Sequence, residues 1–164
     1  MLSFRLAEEK DLVNILGTYN ATIPTRMATA DLEPQSMEER KKWFEKHREG
    51  DRPAWVIEQN GAYAGWMSFS NFYGRPAYSA TVEFSLYIEQ ALQGQGLGKT
   101  AIAYALDKAP GLGIKTILAY VFGHNTPSLN LFKKMGFEQW AYLPGVADMD
   151  EKRIDLIILG ISLA

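Results

Sequence analysis

The sequence predicts an α/β (α+β) domain in which a mixed sheet carries helices on its faces. Strand and helix patterns alternate along the chain in the order β α α β β β α β α β β. Residues 116–122, TILAYVF, form a continuous apolar run of strand length, as expected for a central strand covered on both faces. The 164 residues, 47% of them hydrophobic, are enough for one buried core, so we expect a single domain over residues 1–164.

Charge and composition exclude several classes of function. Lys plus Arg total 17 and Asp plus Glu total 19, and a net charge of −2 provides no basic field for nucleic acid. The chain has no cysteine, which excludes disulfides, thiolate metal sites and cysteine nucleophiles, and we expect no metal. Its first residues, MLSFRLAEEKDL, are unlike a secretory signal, and no window approaches the ~20 apolar residues of a membrane span. We therefore expect a cytoplasmic protein without a membrane partner.

The first third of the chain predicts one strand and two helices. Alternation in residues 2–7 predicts a strand, and the spacing of Leu12, Ile15 and Tyr19 predicts a helix over residues 11–19. The polar, proline-containing residues 20–34 read as a loop and a candidate substrate lid. The pattern Ser36-x-x-Glu39 is a capping box, which begins a helix that we expect to end near residue 48.

The middle of the chain predicts a hairpin and a carboxylate-bearing strand. Residues 54–58 and 62–69 flank Asn60-Gly61, the preferred turn of a β-hairpin. Gly65 within the second strand predicts a bulge or a close backbone approach. An aromatic loop over residues 70–78 leads into a strand that carries Glu83. A glycine-rich turn then begins a helix over about residues 96–109.

The last third predicts the central strand, a helix and two strands. Asn125 or Thr126 can cap a helix that ends at Gly136. Residues 138–143 and 153–163 are strand candidates around a polar turn at residues 148–150.

The glycine-rich turn Gln93-Gly94-Gln95-Gly96-Leu97-Gly98 fits neither common nucleotide motif. A Walker loop needs glycine at Gln93, and a dinucleotide fingerprint needs glycine at Lys99. Bare amides at a helix N-terminus can nevertheless bind a pyrophosphate, aided by the helix dipole. The alternative is a tight strand-to-helix connection without a ligand.

These motifs together resemble the GCN5-related N-acetyltransferases (GNAT). The Gln-x-x-Gly-x-Gly turn, the preceding TVEFSLYI strand and the Asn125-x-x-Ser128 helix that ends in Gly-Phe look like the acetyl-CoA core of that superfamily. The wider text, from RLAEEKDL through NFYGRPAYSATVE to KKMGF, is similar to the phosphinothricin N-acetyltransferase branch over nearly the whole chain.

The resemblance implies a mostly antiparallel sheet that is splayed into a V and flanked by about four helices. Acetyl-CoA would enter the V as cosubstrate, and a homodimer is expected because the branch commonly forms dimers. The residues implied to hold acetyl-CoA lie on the Glu83 strand, in the glycine turn and at the next helix; they are Leu86, Tyr87, Ile88, Gln93, Gln95, Gly96, Leu97, Gly98, Lys99, Thr100, Asn125 and Ser128.

Glu83 matches the carboxylate regarded as the general base of the family. Without the resemblance, a carboxylate inside a strand is more often a hydrogen-bonded or solvated surface group. An α-amine has a reference pKa of about 8, so its deprotonation at pH 7 costs only about 1.4 kcal/mol, against about 4.6 kcal/mol for a lysine side chain. The expected acceptor is therefore the α-amine of a small amino acid or analogue, such as phosphinothricin or methionine sulfoximine.

The sequence departs from the branch at the position expected to supply an acid. Phe132 stands where relatives carry histidine or tyrosine, and phenylalanine has no proton to donate. Either no acid is needed or another residue serves. His124 could be recruited, although a histidine at a strand end is more often a satisfied loop residue, and His47 fits the C-terminal end of a helix.

Arg75, Tyr78 and Tyr73 are the candidates to bind the acceptor. A guanidinium and a phenol can hold a carboxylate, and the alternative is an aromatic loop that packs beneath the lid. Ile154-Asp155 replaces the Trp-x-Asp of the branch, which puts phosphinothricin itself in question as the acceptor. Phe72 and Arg26 are further candidates to shape the pocket, because they lie in the same predicted loops.

Three other functions are consistent with parts of the sequence. A non-catalytic acetyl-CoA sensor would explain the missing acid, and a different amine, such as a polyamine or a peptide N-terminus, could be the acceptor. A P-loop phosphotransferase is disfavoured by Gln93 and by the absence of a strand that ends in a magnesium-binding aspartate.

Overall fold

The computed structural model describes residues 1–48 and 50–163, which form one seven-stranded mixed sheet with helices on both faces. The strands are β1 (Leu2–Leu6), β2 (Ala54–Gln59), β3 (Ala62–Asn71), β4 (Thr81–Ile88), β5 (Thr116–Phe122), β6 (Glu138–Met149) and β7 (Lys152–Ser162). The α-helices are α1 (Leu12–Thr22), α2 (Met37–Arg48), α3 (Leu97–Lys108) and α4 (Thr126–Lys134). The predicted element order and fold class are confirmed.

The sheet has the strand order β1-β2-β3-β4-β5-β7-β6. All neighbouring strands are antiparallel except β4 and β5, which run parallel. Helices α3 and α4 pack on one face over a core that includes Phe84, Ala119 and Phe132. Helices α1 and α2 pack on the other face around Trp66 and Phe44. No α-helix among the described residues is long and apolar enough to cross a membrane.

Local signals placed several boundaries correctly. The Ser36 amide donates to Glu39 Oε1 at 3.2 Å and the Glu39 amide donates to Ser36 Oγ at 3.1 Å, so the capping box forms and α2 begins at the expected position. The 54–59 and 62–71 strands pair across Asn60-Gly61, both of which have positive φ.

Two predicted boundaries were wrong. Helix α1 continues to Thr22 and a 3₁₀ turn follows to Thr25, because Ile23 is buried in the core and the Thr22 hydroxyl bonds within its own helix. The loop therefore begins at residue 26 rather than 20. The last hairpin is longer than predicted and turns at residues 150–151, because a register shift after Leu143 lets the strand pass through its proline at 144.

Gly65 holds β3 close to β4. A Cβ built on Gly65 would lie 2.3 Å from the Tyr87 carbonyl oxygen, which belongs to backbone and cannot rotate away. The predicted close backbone approach is confirmed, and it fixes the position of the part of β4 that follows Glu83.

We expect Gly65→Ala to lower the free energy of unfolding by about 1 to 3 kcal/mol, because the added methyl forces β3 and β4 apart. Gly17→Ala is the matched control, since a Cβ at this α1 position meets no atom within 4 Å. The control should raise the free energy of unfolding by about 0.5 to 1 kcal/mol. Urea unfolding measures both, and equal stability of Gly65→Ala and wild type would contradict the assignment.

Candidate active site

Strands β4 and β5 part soon after they meet. They pair only over Thr81–Glu83 and Thr116–Leu118, although β4 continues to Ile88 and β5 to Phe122. Beyond that point β4 keeps β3 as its neighbour and β5 keeps β7. The space between residues 84–88 and residues 119–122 is called the strand gap here. It is the V that the sequence resemblance implied, and one backbone edge of each strand faces it.

A cavity of about 500 Å³ occupies the strand gap. Glu83, Ser85 and Tyr87 line it from one face of β4, and Phe84 and Leu86 line it from the other. The cavity therefore passes through the sheet, which is possible only because the strands have separated. Its remaining walls come from β5, α4, the loop before α2 and the β6–β7 hairpin.

A second cavity, of about 510 Å³, lies against the glycine turn. Its walls include Gln93, Leu97, Gly98 and Lys99, whereas Gln95 and Thr100 lie outside them. Both cavities are lined by Leu86, Tyr87, Asn125 and Ser128, so the two cavities adjoin between the start of α3 and Glu83, and together they are called the passage.

Glycine is favoured at the three positions of the turn for two different reasons. Gly94 and Gly96 have φ of 79° and 82°, a left-handed conformation that other residues adopt at a cost, and Gly96 is the N-cap of α3. Gly98 has ordinary φ, but a Cβ there would lie 2.8 Å from the Leu131 side chain on α4. The glycines thus shape the turn and bring α3 against α4.

A short segment, residues 26–30, covers the junction of the two cavities and is called the lid segment here. Met27 and Ala28 line both cavities. The Asn125 amide donates to the Met27 carbonyl at 3.1 Å, and the Tyr87 hydroxyl donates to the Ala28 carbonyl at 3.3 Å. Arg26 donates to Asp150 on the β6–β7 turn at 2.8 Å. The candidate lid of the sequence therefore lies over the passage.

Asn125 has both parts of its side chain engaged. Its Oδ1 caps α4 by accepting from the Ser128 amide at 3.3 Å, while its Nδ2 binds the lid segment. A direct contact between Asn125 and pantetheine would therefore have to replace the bond to Met27.

Glu83 lies half-buried in the strand gap, and burial raises the pKa of its carboxyl above the ordinary range. It makes no hydrogen bond or ion pair with the other described residues, and desolvation is the cause of the shift. A carboxylate that is partly desolvated and unpaired is a stronger base than one in water. Its charge in turn helps to raise the pKa of Tyr87 and Tyr120, for which burial is the main cause.

The predicted acceptor residues lie outside both cavities. Tyr73 and Tyr78 are 66% and 46% exposed, on the loop that joins β3 and β4, and their rings meet edge to face with centroids 5.9 Å apart. Arg75 is exposed on the same loop. The structure thus places these three residues together but not beside Glu83, and their role remains a prediction.

The side chains of both histidines and of Phe132 are engaged in contacts within the protein. His47 is a buried residue of α2, where its Nδ1 faces the Trp43 carbonyl and its Nε2 lies 3.1 Å from Ser70 Oγ, and burial lowers its pKa. His124 Nε2 donates to the Arg26 carbonyl at 3.1 Å, which helps to hold the lid segment. Phe132 is buried between Phe84 and Phe137.

Sequence reasoning missed Tyr120 and the β6–β7 hairpin as parts of the site. Tyr120 lines the strand-gap cavity, as do residues 146–149. The one available signal was Tyr120 itself, a polar ring inside an apolar run. The hairpin had no such signal, because its place over the cavity depends on the strand order. Among the described residues, no group of three or more metal-ligating side chains occurs.

Comparison with known proteins identifies the class that this fold and site define. A sequence profile of the "Acetyltransferase (GNAT) family" matches residues 18–137. The chain belongs to the GNAT family and is an acetyl-CoA-dependent N-acetyltransferase.

Its relatives include proteins named for small amino-acid analogues. It is 51% identical over 164 residues to the "Putative phosphinothricin acetyltransferase YwnH" of Bacillus subtilis, covering 99% of this chain and 100% of that protein. It is 27% identical to the L-methionine sulfoximine/L-methionine sulfone acetyltransferase of Salmonella typhimurium, covering 99% and 95%. A phosphinothricin acetyltransferase from Sinorhizobium meliloti, solved in complex with AcCoA, matches with a TM-score of 0.93 at 25% identity, covering 99% and 89%.

The raised pKa of Glu83 predicts a pH-dependent effect on stability. The unfolded carboxyl ionises near pH 4.3, before the folded one, so the contribution of Glu83 to stability falls as pH rises through the window between the two pKa values. Glu83→Gln lacks this penalty. We expect it to gain stability relative to wild type between about pH 4 and about pH 7 in urea unfolding. If the stability difference between Glu83→Gln and wild type is the same at both pH values, the raised pKa of Glu83 is contradicted. Glu138→Gln, at an exposed position of β6, is the control.

Proposed function

We propose that this enzyme transfers the acetyl group of acetyl-CoA to the α-amine of a small amino acid or analogue, such as phosphinothricin or methionine sulfoximine. The observation that carries the proposal is an unpaired, half-buried carboxylate, Glu83, inside the strand gap. The names of the relatives support the same acceptor class. The whole chain, residues 1–164, would act as one GNAT domain.

The passage fits an extended cofactor with a phosphorylated end. The amides around Gly96, Leu97 and Gly98 begin α3, and the helix dipole favours a pyrophosphate there. Gln93, Gln95, Lys99 and Thr100 would border that pyrophosphate. The unpaired edge of β4 at Leu86, Tyr87 and Ile88 would bind the amides of the pantetheine arm, since those backbone groups need partners once the strands separate. Asn125 and Ser128 would form the opposite wall.

The chemistry follows from where Glu83 lies. It would accept a proton from the acceptor ammonium, directly or through one water, and the free amine would attack the thioester carbonyl carbon. The C–N bond then forms, the nitrogen loses a second proton, and the C–S bond breaks to release a thiolate that takes up one proton. A raised pKa brings the carboxyl closer to the roughly 8 of an α-amine, which lowers the cost of the transfer.

The closed mouth of the strand gap favours a small acceptor. The lid segment and the β6–β7 hairpin both line the cavity, and the ion pair of Arg26 with Asp150 joins them. A peptide N-terminus would have to displace this contact. Arg75, Tyr78 and Tyr73 remain our candidates to bind an acceptor carboxylate, which requires their loop to move toward the gap.

A homodimer is part of the same proposal. Strand β6 is an edge of the sheet, and among the described residues it exposes a row of large apolar side chains: Trp140, Tyr142, Leu143 and Val146. An exposed apolar edge strand is usually covered by another chain. Light scattering in solution decides between a dimer and a monomer. We also place the enzyme in the cytoplasm, because acetyl-CoA is an intracellular metabolite.

Turnover with a panel of amines tests the function. We expect release of free thiol from acetyl-CoA with phosphinothricin, methionine sulfoximine or a natural amino acid. Glu83→Gln should lower kcat by about 10²- to 10⁴-fold, because the general base is lost, and Glu138→Gln should leave it unchanged. Tight acetyl-CoA binding without turnover on any amine would favour a sensor. Wild-type turnover by Glu83→Gln would remove Glu83 as the base.

A further inference from the structure

Phe132, the α4 residue at the position where relatives carry histidine or tyrosine, has no proton to donate. Phe132 is 7% exposed and packs edge to face against Phe84 and Phe137, with ring centroids 6.1 and 5.1 Å away. The leaving thiolate of an acetyl transfer must nevertheless become a thiol. A protein group that donates this proton must therefore lie elsewhere in the strand gap.

Tyr120 lies on the sheet face that Glu83 occupies. Glu83 is aligned with Leu118 in the parallel β4–β5 pair, and Tyr120 is two residues further along β5 on the same face. It is the first residue of β5 past the last paired position to present its side chain there. Its ring lines the strand-gap cavity and is 37% exposed.

The Tyr120 hydroxyl is free to act on a ligand. The hydroxyls of Tyr19, Tyr63, Tyr87 and Tyr142 each bond to the protein, whereas that of Tyr120 bonds to none of residues 1–48 and 50–163. The other polar side chains that line the cavity are less suitable. Asn125 is engaged at both ends, and Tyr87 donates to the lid segment.

The remaining lining groups are less suitable as donors to sulfur. Glu83 is the proposed base, Asp148 forms an ion pair with Arg153, and the hydroxyls of Ser85, Ser128 and Thr29 are much weaker acids than a phenol. Tyr120 is thus the one phenol of the described cavity lining whose hydroxyl has no protein partner.

We propose that Tyr120 is the proton donor of the acetyl transfer, a catalytic role that rests on the function proposed above. As the C–S bond breaks, the thiolate sulfur takes the hydroxyl proton of Tyr120, while Glu83 holds the proton taken from the amine. The proton on Glu83 then returns to the tyrosinate, directly or through water. The ammonium loses two protons as it becomes an amide. Glu83 passes the first to solvent before the attack, and the second travels through Glu83 and Tyr120 to the thiol, so the cycle balances and both residues are restored.

Reference pKa values indicate whether Tyr120 can give up its proton completely to the leaving sulfur. A phenol near 10 and a thiol near 8.5 differ by about 1.5 units, so complete transfer to a free thiolate is unfavourable by about 2 kcal/mol or more, because burial raises the pKa of Tyr120 further. The Tyr120 hydroxyl therefore hydrogen bonds to the sulfur as charge develops there, and its proton moves fully to sulfur as the proton of Glu83 reaches the phenol oxygen. A phenol with a reference pKa near 10 is protonated at neutral pH, and burial raises the pKa of Tyr120 further.

Tyr120→Phe tests the proposal, because it removes one oxygen and keeps the ring. With acetyl-CoA and the best amine of the panel, we expect kcat to fall about 10²-fold while KM for acetyl-CoA stays within about twofold. Tyr104→Phe is the matched control: its ring stacks on Phe4 at 4.3 Å, outside both cavities, and its kcat should equal that of wild type. Thermal unfolding verifies that both variants are folded.

A second acyl donor separates an acid from a structural role. S-acetyl-4-nitrothiophenol releases a thiol of much lower pKa, which leaves without a proton. We expect the deficit of Tyr120→Phe to shrink to about threefold or less with this donor, because the step that Tyr120 assists is no longer needed. An equal deficit with both donors, or full activity of Tyr120→Phe with acetyl-CoA, overturns the proposal while the proposed function stands. If wild type transfers acetyl to no amine, the proposed function fails and this proposal fails with it.

Discussion

The early separation of β4 from β5 is the constraint on which the rest of the site depends. Backbone N–H and C=O groups in a protein interior need partners, and a central strand normally finds them on both sides. Beyond Glu83, β4 has a strand neighbour on one side only. The sheet therefore contains an edge at its centre, and the strand gap is open to a ligand that brings amides of its own.

The other parts of the site are arranged around this edge. The glycine turn follows β4 after one 3₁₀ turn and starts α3 at one end of the passage, an arrangement that fits an extended molecule with a phosphate there and a thioester in the gap. Gly65 holds β3 against the free-edged part of β4. The lid segment and the β6–β7 hairpin meet through Arg26 and Asp150 and both line the cavity that holds Glu83. Burial in the strand gap is what raises the pKa of the Glu83 carboxyl.

Local signals in the sequence predicted the helices and strands. Long-range packing determined the features that these signals did not indicate. The capping box at Ser36, the Asn60-Gly61 turn and the Asn125 cap act within a few residues and were predicted correctly. The glycine turn was recognised, but the reason for Gly98 is a side chain on α4, more than thirty residues away. Likewise, the β6 strand continues past its proline at 144 because of a register shift against β7, which no local pattern indicates.

The residues of the site likewise include some that the sequence predicted and one that only the three-dimensional structure reveals. Glu83 was predicted from its strand and the family resemblance, whereas Tyr120 was read as core because TILAYVF is apolar nearly throughout. Only the strand order shows that this residue faces a gap. The acceptor residues on the 72–80 loop were predicted from residue type alone, and the structure places them on the surface.

A crystal structure of the complex with acetyl-CoA tests the central claim most directly. We expect the pantetheine arm to lie in the strand gap with its amides bonded to the β4 backbone between Leu86 and Ile88. The thioester carbonyl would lie beside Glu83 and Tyr120, and the pyrophosphate at the N-terminus of α3. A cofactor bound elsewhere on the surface, with the strand gap empty, would contradict it.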